Sequence, residues 1–233
     1  MKSILTPRGR FHYQPVYLYV GRKVIDRQVA FENLKVLAPL LDEMGIRFGP
    51  FLGTLLGIVR ENDFIEWDED IDLYVLAEDE AKLLDGLWTL REHGFELVRY
   101  DKRGLYSVMR NDEYIDFYLL RKIADNLWYD NGKEFLFDRF VTDLVDYDFK
   151  GITLKIPRDY DEFLTFQYGD WRTPVKYADY GISRSRILLG RAFWEMKNLV
   201  PKFLYQPFLK VYHWKDWKKF RAKCARLGID PEK

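Results

Sequence analysis

Two carboxylates stand two positions apart where a predicted β-strand begins. Asp70 and Asp72 alternate with apolar residues in the run that ends at Leu76. Alternate side chains of a strand share a face and lie about 7 Å apart, so these two carboxylates repel each other by about 2.4 kcal/mol at a dielectric constant of about 20. A divalent cation would remove that repulsion, and oxygen ligands without nearby His or Cys favour Mg²⁺, or Mn²⁺, over zinc. The pair therefore predicts a metal site.

A third carboxylate is predicted on a neighbouring strand. Asp116 is the one acid in the apolar run from Tyr114 to Leu119. Three carboxylates on adjacent strands can hold one or two metal ions for in-line displacement at phosphorus. A carboxylate so placed can also take the proton from an attacking hydroxyl, and we assign that role to Asp116.

A phosphate-binding site is predicted at Gly53-Thr54, shortly before Asp70 and Asp72 in the sequence. Gly53 and Thr54 stand at the start of a predicted short helix, where backbone N–H groups and a hydroxyl can bind a phosphate. Arg60 closes the helix and would add a fixed positive charge to the same anion. Asp68 is grouped with these substrate-binding residues, although like Glu66 and Glu69 it is also suited to a turn behind the metal ligands.

Each of these features also has an ordinary structural explanation. An Asp-x-Asp pair is usually solvated, a lone strand acid such as Asp116 can sit at an edge, and Gly-Thr before a helix is often only a cap. Arg60 alone would usually form a surface ion pair. The order and spacing of all of them together favour the catalytic interpretation.

Alternating helical and β-like segments must position these residues. The hydrophobic periodicity predicts an α/β (α+β) fold, with a helical C-terminal segment rich in basic and aromatic residues. The predicted organisation is an irregular N-terminal arm over 1–20, a catalytic domain over 21–180 and that segment over 181–233. Predicted helices cover Val24–Met44, the residues up to Arg60, Glu78–His93 and the residues from Asp159 to Tyr168. Predicted strands cover Ile46–Phe51, Asp70–Leu76, Phe95–Tyr100, Leu105–Arg110, Glu113–Leu120, Phe135–Phe140 and Gly151–Ile156.

The composition excludes several classes of protein. The chain has 233 residues and equal numbers of basic and acidic residues, 37 of each, so its overall charge favours no partner. One cysteine, Cys224, and three histidines exclude a disulfide framework and argue against a Cys/His zinc site. No stretch approaches 18 uninterrupted apolar residues. We therefore expect a cytoplasmic protein without a membrane span.

At these residues the sequence resembles the LicD/fukutin family, a branch of the nucleotidyltransferase superfamily. The family signature stands here as G-T-L-L-G-I-V-R from Gly53 to Arg60, followed by I-E-W-D-E-D-I-D from Ile65 to Asp72. The chain departs from it at Glu66, where proline is frequent, and at Glu69, within a run that is more often all aspartate. Ile156-Pro157 and the segment Tyr168–Trp171 resemble the C-terminal signature, so the resemblance covers roughly residues 25 to 175.

The resemblance implies a metal-dependent enzyme with a nucleotidyltransferase-like mixed β-sheet flanked by helices. It implies Gly53-Thr54 as the phosphate-binding step, and Asp70, Asp72 and Asp116 as the metal carboxylates. The implied reaction moves a phospho-alcohol group, such as phosphocholine or ribitol phosphate, from a CDP-activated donor to a hydroxyl of a cell-surface glycan such as lipopolysaccharide, with release of CMP. Two alternatives remain open. One is a nucleotidyltransferase acting on a small molecule or sugar phosphate, and the other is a non-catalytic, membrane-associated module.

The C-terminal segment is strongly basic and aromatic. From Arg184 to Lys223 the sequence holds eleven Lys and Arg residues against two acids, Glu195 and Asp216. Interleaved rings and cations suit peripheral contact of residues 191–223 with the inner face of a membrane, where a lipid-linked glycan acceptor would be found. Packing of a helix on the core with lysines extending to solvent explains the same pattern equally well. We disfavour nucleic acid as the partner.

Overall fold

The computed structural model describes residues 1–19, 21–130, 134–175, 185, 188–192 and 202–231, with side chains of the last range from Trp214 onward. Its centre is a mixed β-sheet in which five strands lie in the order β3-β4-β7-β6-β5. Strands β4 and β7 are parallel, and the other neighbours in this row are antiparallel. The strands are β3 Phe48–Pro50, β4 Ile71–Leu76, β5 Glu96–Asp101, β6 Leu105–Arg110 and β7 Glu113–Ala124. The long β7 continues past this row and pairs with β8, Leu127–Asp130, which pairs with β9, Phe135–Phe137.

One face of the sheet is covered by two helices. These are α1, Arg27–Glu43, and α3, Glu80–Glu92. Asp26 caps α1 by accepting from the backbone N–H groups of Gln28 and Val29. Their apolar sides meet the odd-numbered residues of β4 and β7, which point to this face because side chains alternate along a strand.

The other face carries a second apolar cluster, rich in aromatic rings, beside the acidic residues. It is formed by α2, Leu52–Glu61, the pair β8–β9, the short α4, Arg139–Thr142, and α5, Tyr160–Tyr168. The C-terminal helix α6, Lys202–Leu227, contributes buried Phe220 and Cys224. The structure thus confirms the mixed sheet flanked by helices.

Most predicted elements are present with shifts of a few residues at their ends. The turns are where their residue types predict them: Asn111 and Asp112 both have positive φ, 54° and 62°, between β6 and β7. Gly45, with φ 63°, follows α1 as predicted. Pro39 lies inside α1.

The structure differs from the predicted elements at several places. Residues 2–13 are not irregular but form a hairpin of β1, Lys2–Thr6, and β2, Gly9–Tyr13, because Ile4, Phe11 and Tyr13 bury alternate positions against the core. The segment before residue 150 contains an unpredicted strand β10, Leu144–Phe149, paired with β11, Ile152–Pro157. Phe140 lies in α4 instead of extending the strand from Phe135.

The domain boundaries predicted near residues 20 and 180 fall on residues outside the described ranges. Within those ranges no helix is both long enough and apolar enough to cross a bilayer.

Candidate active site

The parallel pairing of β4 with β7 brings the three predicted carboxylates together. Asp72 is the register partner of Asp116, and Asp70 directly precedes β4. One carboxylate oxygen from each of the three lies within 4.8 Å of the others. Asp72 and Asp116 are buried, with 8% and 2% of their surface exposed. The three acids therefore form one compact group on the aromatic-rich face of the sheet.

Asp116 belongs to a polar row that crosses four strands. The register aligns Asp72 on β4, Asp116 on β7, Ser107 on β6 and Arg99 on β5. The Ser107 hydroxyl donates to Asp116 Oδ1 at 2.5 Å, and the Arg99 guanidinium donates to Asp116 Oδ2. Arg99 also donates through Nε to Ser107 Oγ at 2.7 Å. Both oxygens of Asp116 are thus held in place.

Sequence reasoning missed Arg99 and Ser107. Each is a polar residue inside an otherwise half-buried strand, which was the available signal. Their relation to Asp116 depends on cross-strand register, and a single strand's pattern does not contain that information.

Of the three carboxylates, Asp116 is the one paired with a cationic side chain, that of Arg99. Burial raises the pKa of Asp70 well above its ordinary value, and the charges of Asp72 and Asp116 raise it further. Burial also raises the pKa of Asp72, followed by the charge of Asp116. For Arg99, burial alone would lower the guanidinium pKa, but the adjacent Asp116 carboxylate outweighs burial and raises it. Arg99 thus compensates one carboxylate, and a cation would compensate the other two.

Tyr118 is a further residue that the sequence analysis did not single out. It follows Asp116 by two positions, so the same alternation that joins Asp70 to Asp72 places it on the carboxylate face. Burial followed by the Asp72 charge raises the Tyr118 pKa, and Tyr118 in turn lowers the Asp72 pKa against the effect of burial. Tyr118 therefore belongs to the electrostatic surroundings of Asp72.

The start of α2 is fixed to β4 on both sides of Asp72. The backbone N–H of Asp72 donates to Thr54 Oγ1 at 2.8 Å, and the backbone N–H of Phe51 donates to the Asp72 carbonyl at 2.9 Å. Leu52, the first residue of α2, has a positive φ of 43°, a conformation that costs a branched side chain free energy. The predicted phosphate-binding residue Thr54 is thus hydrogen-bonded directly to the predicted metal ligand Asp72.

Asp68 lies against that same helix start. A Cβ added at Gly53 would overlap Asp68 Oδ2, so the absence of a side chain at Gly53 makes room for the carboxylate. Burial raises the pKa of Asp68, although the Glu69 backbone N–H donates to its Oδ1 at 3.0 Å and lowers it. Gly53, Thr54 and Asp68 therefore lie beside the acidic group, and substrate binding by these three residues stays a prediction.

Residues 45–159 match the family model described as LicD/FKTN/FKRP, nucleotidyltransferase domain. This range contains the acidic group, the start of α2 and the strands that join them. The matched domain belongs to the LicD/fukutin family.

Curated relatives agree with the family model. The chain is 26% identical over 170 residues to "Ribitol 5-phosphate transferase FKRP" of Mus musculus, which covers 66% of this chain and 34% of that protein. It is 27% identical over 179 residues to "Ribitol-5-phosphate transferase FKTN" of Mus musculus, covering 70% of this chain and 38% of that protein. The chain thus spans little more than a third of these relatives.

Two solved structures align with most of this chain at low sequence identity. The lincosamide adenylyltransferase LnuA aligns over 67% of this chain and 91% of its own, with a TM-score of 0.42 and 10% identity. The antibiotic-resistance factor ANT(2'')-Ia aligns over 87% of this chain and 96% of its own, with a TM-score of 0.46 and 15% identity.

Part of the LicD signature in this chain has a structural role. A Cβ at Gly57 would lie 2.6 Å from the Asp63 carbonyl oxygen and 3.0 Å from the Ile65 backbone nitrogen. The second glycine of the signature thus permits α2 to pack on the turn that leads to the acids. The spacing between the two halves of the signature is consistent with this close contact.

Arg60 of the LicD signature is not brought to the three carboxylates. It lies at the far end of α2, about 12 Å along the helix axis from Leu52. Its guanidinium donates to the Trp171 carbonyl at 3.3 Å and to the neighbouring Glu61. Trp171, in the C-terminal signature segment, is itself buried, so the two signature segments contact each other through Arg60. Phosphate binding by Arg60 stays a prediction.

The acidic group suits a divalent metal ion by the chemistry of its ligands. Asp70, Asp72 and Asp116 offer hard carboxylate oxygens, and no His or Cys belongs to the group. Arg99 pairs with Asp116, so the negative charges of Asp70 and Asp72 remain to be neutralised. The residues therefore fit a cation such as Mg²⁺ or Mn²⁺.

Proposed function

We propose that this protein is a metal-dependent transferase that moves a phospho-alcohol group from a CDP-activated donor to a hydroxyl of a cell-surface glycan, releasing CMP. The observation that carries the proposal is the convergence of Asp70, Asp72 and Asp116 within 4.8 Å, inside the region that matches the LicD domain. Two similar proteins are named ribitol-phosphate transferases, which supports a phospho-alcohol as the transferred group. Phosphocholine and ribitol phosphate are the candidates.

In the proposed reaction, a hydroxyl oxygen of the acceptor attacks the phosphorus that carries the alcohol. The new P–O bond forms as the bond to CMP breaks, and the hydroxyl proton passes to the Asp116 carboxylate. Arg99 and Ser107 fix that carboxylate, so its orientation does not depend on substrate. Asp70, Asp72 and Asp116 would hold the cation, which when bound withdraws charge from the phosphoryl oxygens.

The donor phosphates are proposed to lie at the start of α2. A ten-residue helix presents free backbone N–H groups at its first turn, and Gly53 and Thr54 belong to that turn. Thr54 Oγ1 accepts from the Asp72 backbone, so its own proton stays available to a phosphate oxygen. Asp68, a carboxylate, would bind a donor hydroxyl rather than a phosphate.

Nucleotidyl transfer to a small molecule or sugar phosphate is the second candidate. The same carboxylates would serve it, and the description of the matching model as a nucleotidyltransferase domain favours keeping it. The two reactions differ in the phosphorus attacked and hence in the product: CMP from a CDP-linked donor, or pyrophosphate from a nucleoside triphosphate.

A donor screen with product analysis tests both. We expect Mg²⁺ plus one CDP-linked donor to stabilise the fold, by about 2.7 kcal/mol at ~100 times its dissociation constant. CMP should then appear in the presence of acceptor, and Asp116→Asn should lose turnover while keeping its fold. Pyrophosphate release from a triphosphate would favour the second candidate. Turnover in neither assay, with Asp116→Asn indistinguishable from wild type, would favour a non-catalytic module.

The acceptor is proposed to be lipid-linked and met at the inner face of a membrane. The support is the excess of basic and aromatic residues in the C-terminal segment. Peripheral contact through residues 191–223 is part of this proposal.

A further inference from the structure

The C-terminal helix α6 has two chemically distinct sides in the part whose side chains are described. At 100° per residue, the positions from Trp214 to Leu227 divide into one stripe that faces the protein and one that faces away. The two stripes consist of different residue types: the inward one is mainly apolar and the outward one mainly basic.

The inward stripe is part of the core. Phe220 is 4% exposed and lies 5.5 Å from Phe135 and 5.2 Å from Phe137, ring centre to ring centre. Cys224 is fully buried. Asp216 is 5% exposed and accepts from the Tyr129 hydroxyl at 2.9 Å. Packing therefore accounts for this side of the helix and fixes its rotation about its axis.

The outward stripe is cationic and has no acid. It runs about 18 Å along the helix from Trp214 to Arg226. Trp214 is 55% exposed, and Lys218 Nζ lies 3.9 Å from the centre of its ring. Lys219 approaches Asp216 at 3.8 Å yet is 75% exposed. The exposed cations on this side are Lys215, Lys218, Lys219, Arg221 and Arg226.

We infer that this outward stripe is a docking surface for an anionic lipid bilayer, with the helix lying parallel to the membrane plane. Packing on the core and contact with a membrane thus occur on opposite sides of one helix. The inference deepens the proposed function, because a lipid-linked acceptor would be reached at such a surface.

The composition of the stripe favours a bilayer over nucleic acid. An interfacial tryptophan sits at the headgroup level with its ring among lipids, and lysines beside it contact anionic headgroups. Stacking on a base needs a free aromatic face, and Lys218 already covers one face of the Trp214 ring. A single exposed ring among five cations suits a planar, negatively charged surface.

Vesicle binding by the full-length chain, without donor or acceptor, tests the inference. The probes are phosphatidylcholine vesicles and phosphatidylcholine vesicles with about one third phosphatidylglycerol, followed by cosedimentation at low and raised salt. Each cation near an anionic surface raises the partition coefficient roughly fivefold, so the triple variant Lys215→Gln, Lys218→Gln, Arg221→Gln should bind roughly 100-fold more weakly. Trp214→Ala should weaken binding on its own. Both variants should unfold like wild type, because the altered side chains are exposed.

A matched control removes three charges elsewhere. Lys35, Lys102 and Lys155 are exposed outside α6 and outside the acidic group, and changing all three to Gln should leave vesicle binding close to wild type. Equal loss in both triple variants, or equal binding to both kinds of vesicle, would overturn the inference. Stronger binding to a nucleic-acid oligomer than to anionic vesicles would overturn it in favour of that partner.

The experiment also separates this inference from the proposed function. A chain that releases CMP from a soluble donor but ignores anionic vesicles refutes the docking surface, and with it the membrane contact proposed for residues 191–223, but leaves the transferase activity standing. A chain that binds the vesicles through the outward stripe yet turns over no donor refutes the transferase alone.

Discussion

Mutual repulsion is the dominant property of the three carboxylates. Asp72 is 8% exposed and its backbone N–H donates to Thr54, and its carboxylate lies within 4.8 Å of those of Asp70 and Asp116. This repulsion lowers the stability of the folded protein whenever no cation is bound.

Asp72→Asn should therefore stabilise the metal-free protein. The amide keeps an oxygen that can accept a hydrogen bond, and the loss of one charge relieves about 3 kcal/mol of repulsion with Asp70, at a separation within 4.8 Å and a dielectric constant of about 20. The same variant should lose most of the stabilisation that Mg²⁺ or Mn²⁺ gives to wild type. Urea unfolding with a chelator and with cation measures both effects. A variant that is less stable than wild type under chelator, or still stabilised by cation to the same extent, would contradict the metal assignment.

Ser107 and Arg99 act on the proposed reaction through Asp116. Ser107→Ala removes the hydrogen bond to Oδ1 and leaves the charge pair with Arg99 in place. Loss of a partner that orients a metal ligand typically costs 10–100-fold in metal affinity or activity. We expect that loss in cation affinity, measured by calorimetry, and in CMP release, and we expect Arg99→Lys to show it too because lysine cannot reach both Ser107 and Asp116.

Conversely, the control for this pair is Arg103→Lys. Arg103 pairs with Asp101 on the neighbouring end of β5 and does not contact Asp116. If it lowers cation affinity as much as Arg99→Lys does, the effect is on the strand and not on the carboxylate.

At the scale of elements, the two glycines of α2 differ in what surrounds them. Gly53 faces the Asp68 side chain, whereas Gly57 faces backbone atoms of the Asp63–Ile65 turn. A side chain can move aside and a backbone cannot do so without shifting the turn.

Gly57→Ala should accordingly destabilise the fold more than Gly53→Ala, with overpacking costs on the order of 1–3 kcal/mol. Asp68→Ala should rescue most of the stability lost in Gly53→Ala and none of that lost in Gly57→Ala. Thermal unfolding of the two single variants and the two double variants decides this. Equal rescue of both glycine variants would mean that Asp68 is not the obstacle.

The start of α3 depends on a buried carboxylate. Asp79 accepts from Arg47 Nε at 2.7 Å and from Lys82 Nζ at 2.9 Å. Burial alone would raise the Asp79 pKa, but the hydrogen bonds from Arg47 and Lys82 outweigh burial and hold it well below its ordinary value.

The folded-state pKa of Asp79 is depressed. The ionised Asp79 side chain therefore contributes fully to the free energy of unfolding at pH values above its unfolded-state pKa of about 3.9, and this contribution is lost as the pH falls below that value. Asp79→Asn should cost about 1–2 kcal/mol at neutral pH and much less in acid. Urea unfolding of both proteins across that range measures the difference. Asp85→Asn is the control, because Asp85 pairs with Arg8 at a more exposed site on the same helix. A constant difference across the pH range would exclude the linkage.

Elements bounded by clear turn residues could be predicted from the sequence, and the others could not. The ends of the strands beside Asn111-Asp112 and of the helix before Gly45 could be predicted, because these turn residues adopt positive φ for local reasons. The β1–β2 hairpin was missed because Pro7 and Gly9 suggested irregular chain, while its burial comes from distant contacts such as Trp88 against Phe11, 5.0 Å apart. Asp116 could be found as a lone acid in an apolar strand, whereas Arg99 becomes visible only when the strands are in register.

For the molecule as a whole, α6 is part of the core and not an appendage. Phe220 contacts the rings of Phe135, Phe137 and Phe166, which line the aromatic-rich face of the sheet. Deleting residues 191–233 would expose these rings, so the effect of the deletion on membrane binding could not be separated from unfolding.

Phe220→Ala should cost about 3–5 kcal/mol, the usual range for a buried phenylalanine. The exposed Trp214→Ala on the same helix should cost within about 0.5 kcal/mol. Chemical denaturation of the two variants measures the contrast. Similar costs for both would mean that α6 does not pack as described.

The parallel pairing of β4 with β7 has a consequence for the order of folding. Strands β5, β6 and β7 are joined by tight turns and can pair early, whereas β4 reaches β7 only after the chain between them has closed a long loop. That non-local pairing is also the step that forces Asp70 and Asp72 against Asp116. We therefore predict that a bound cation chiefly slows unfolding and leaves the refolding rate nearly unchanged, as for any contact that forms late in folding. A cation that speeds refolding instead would place the acidic group in the folding nucleus.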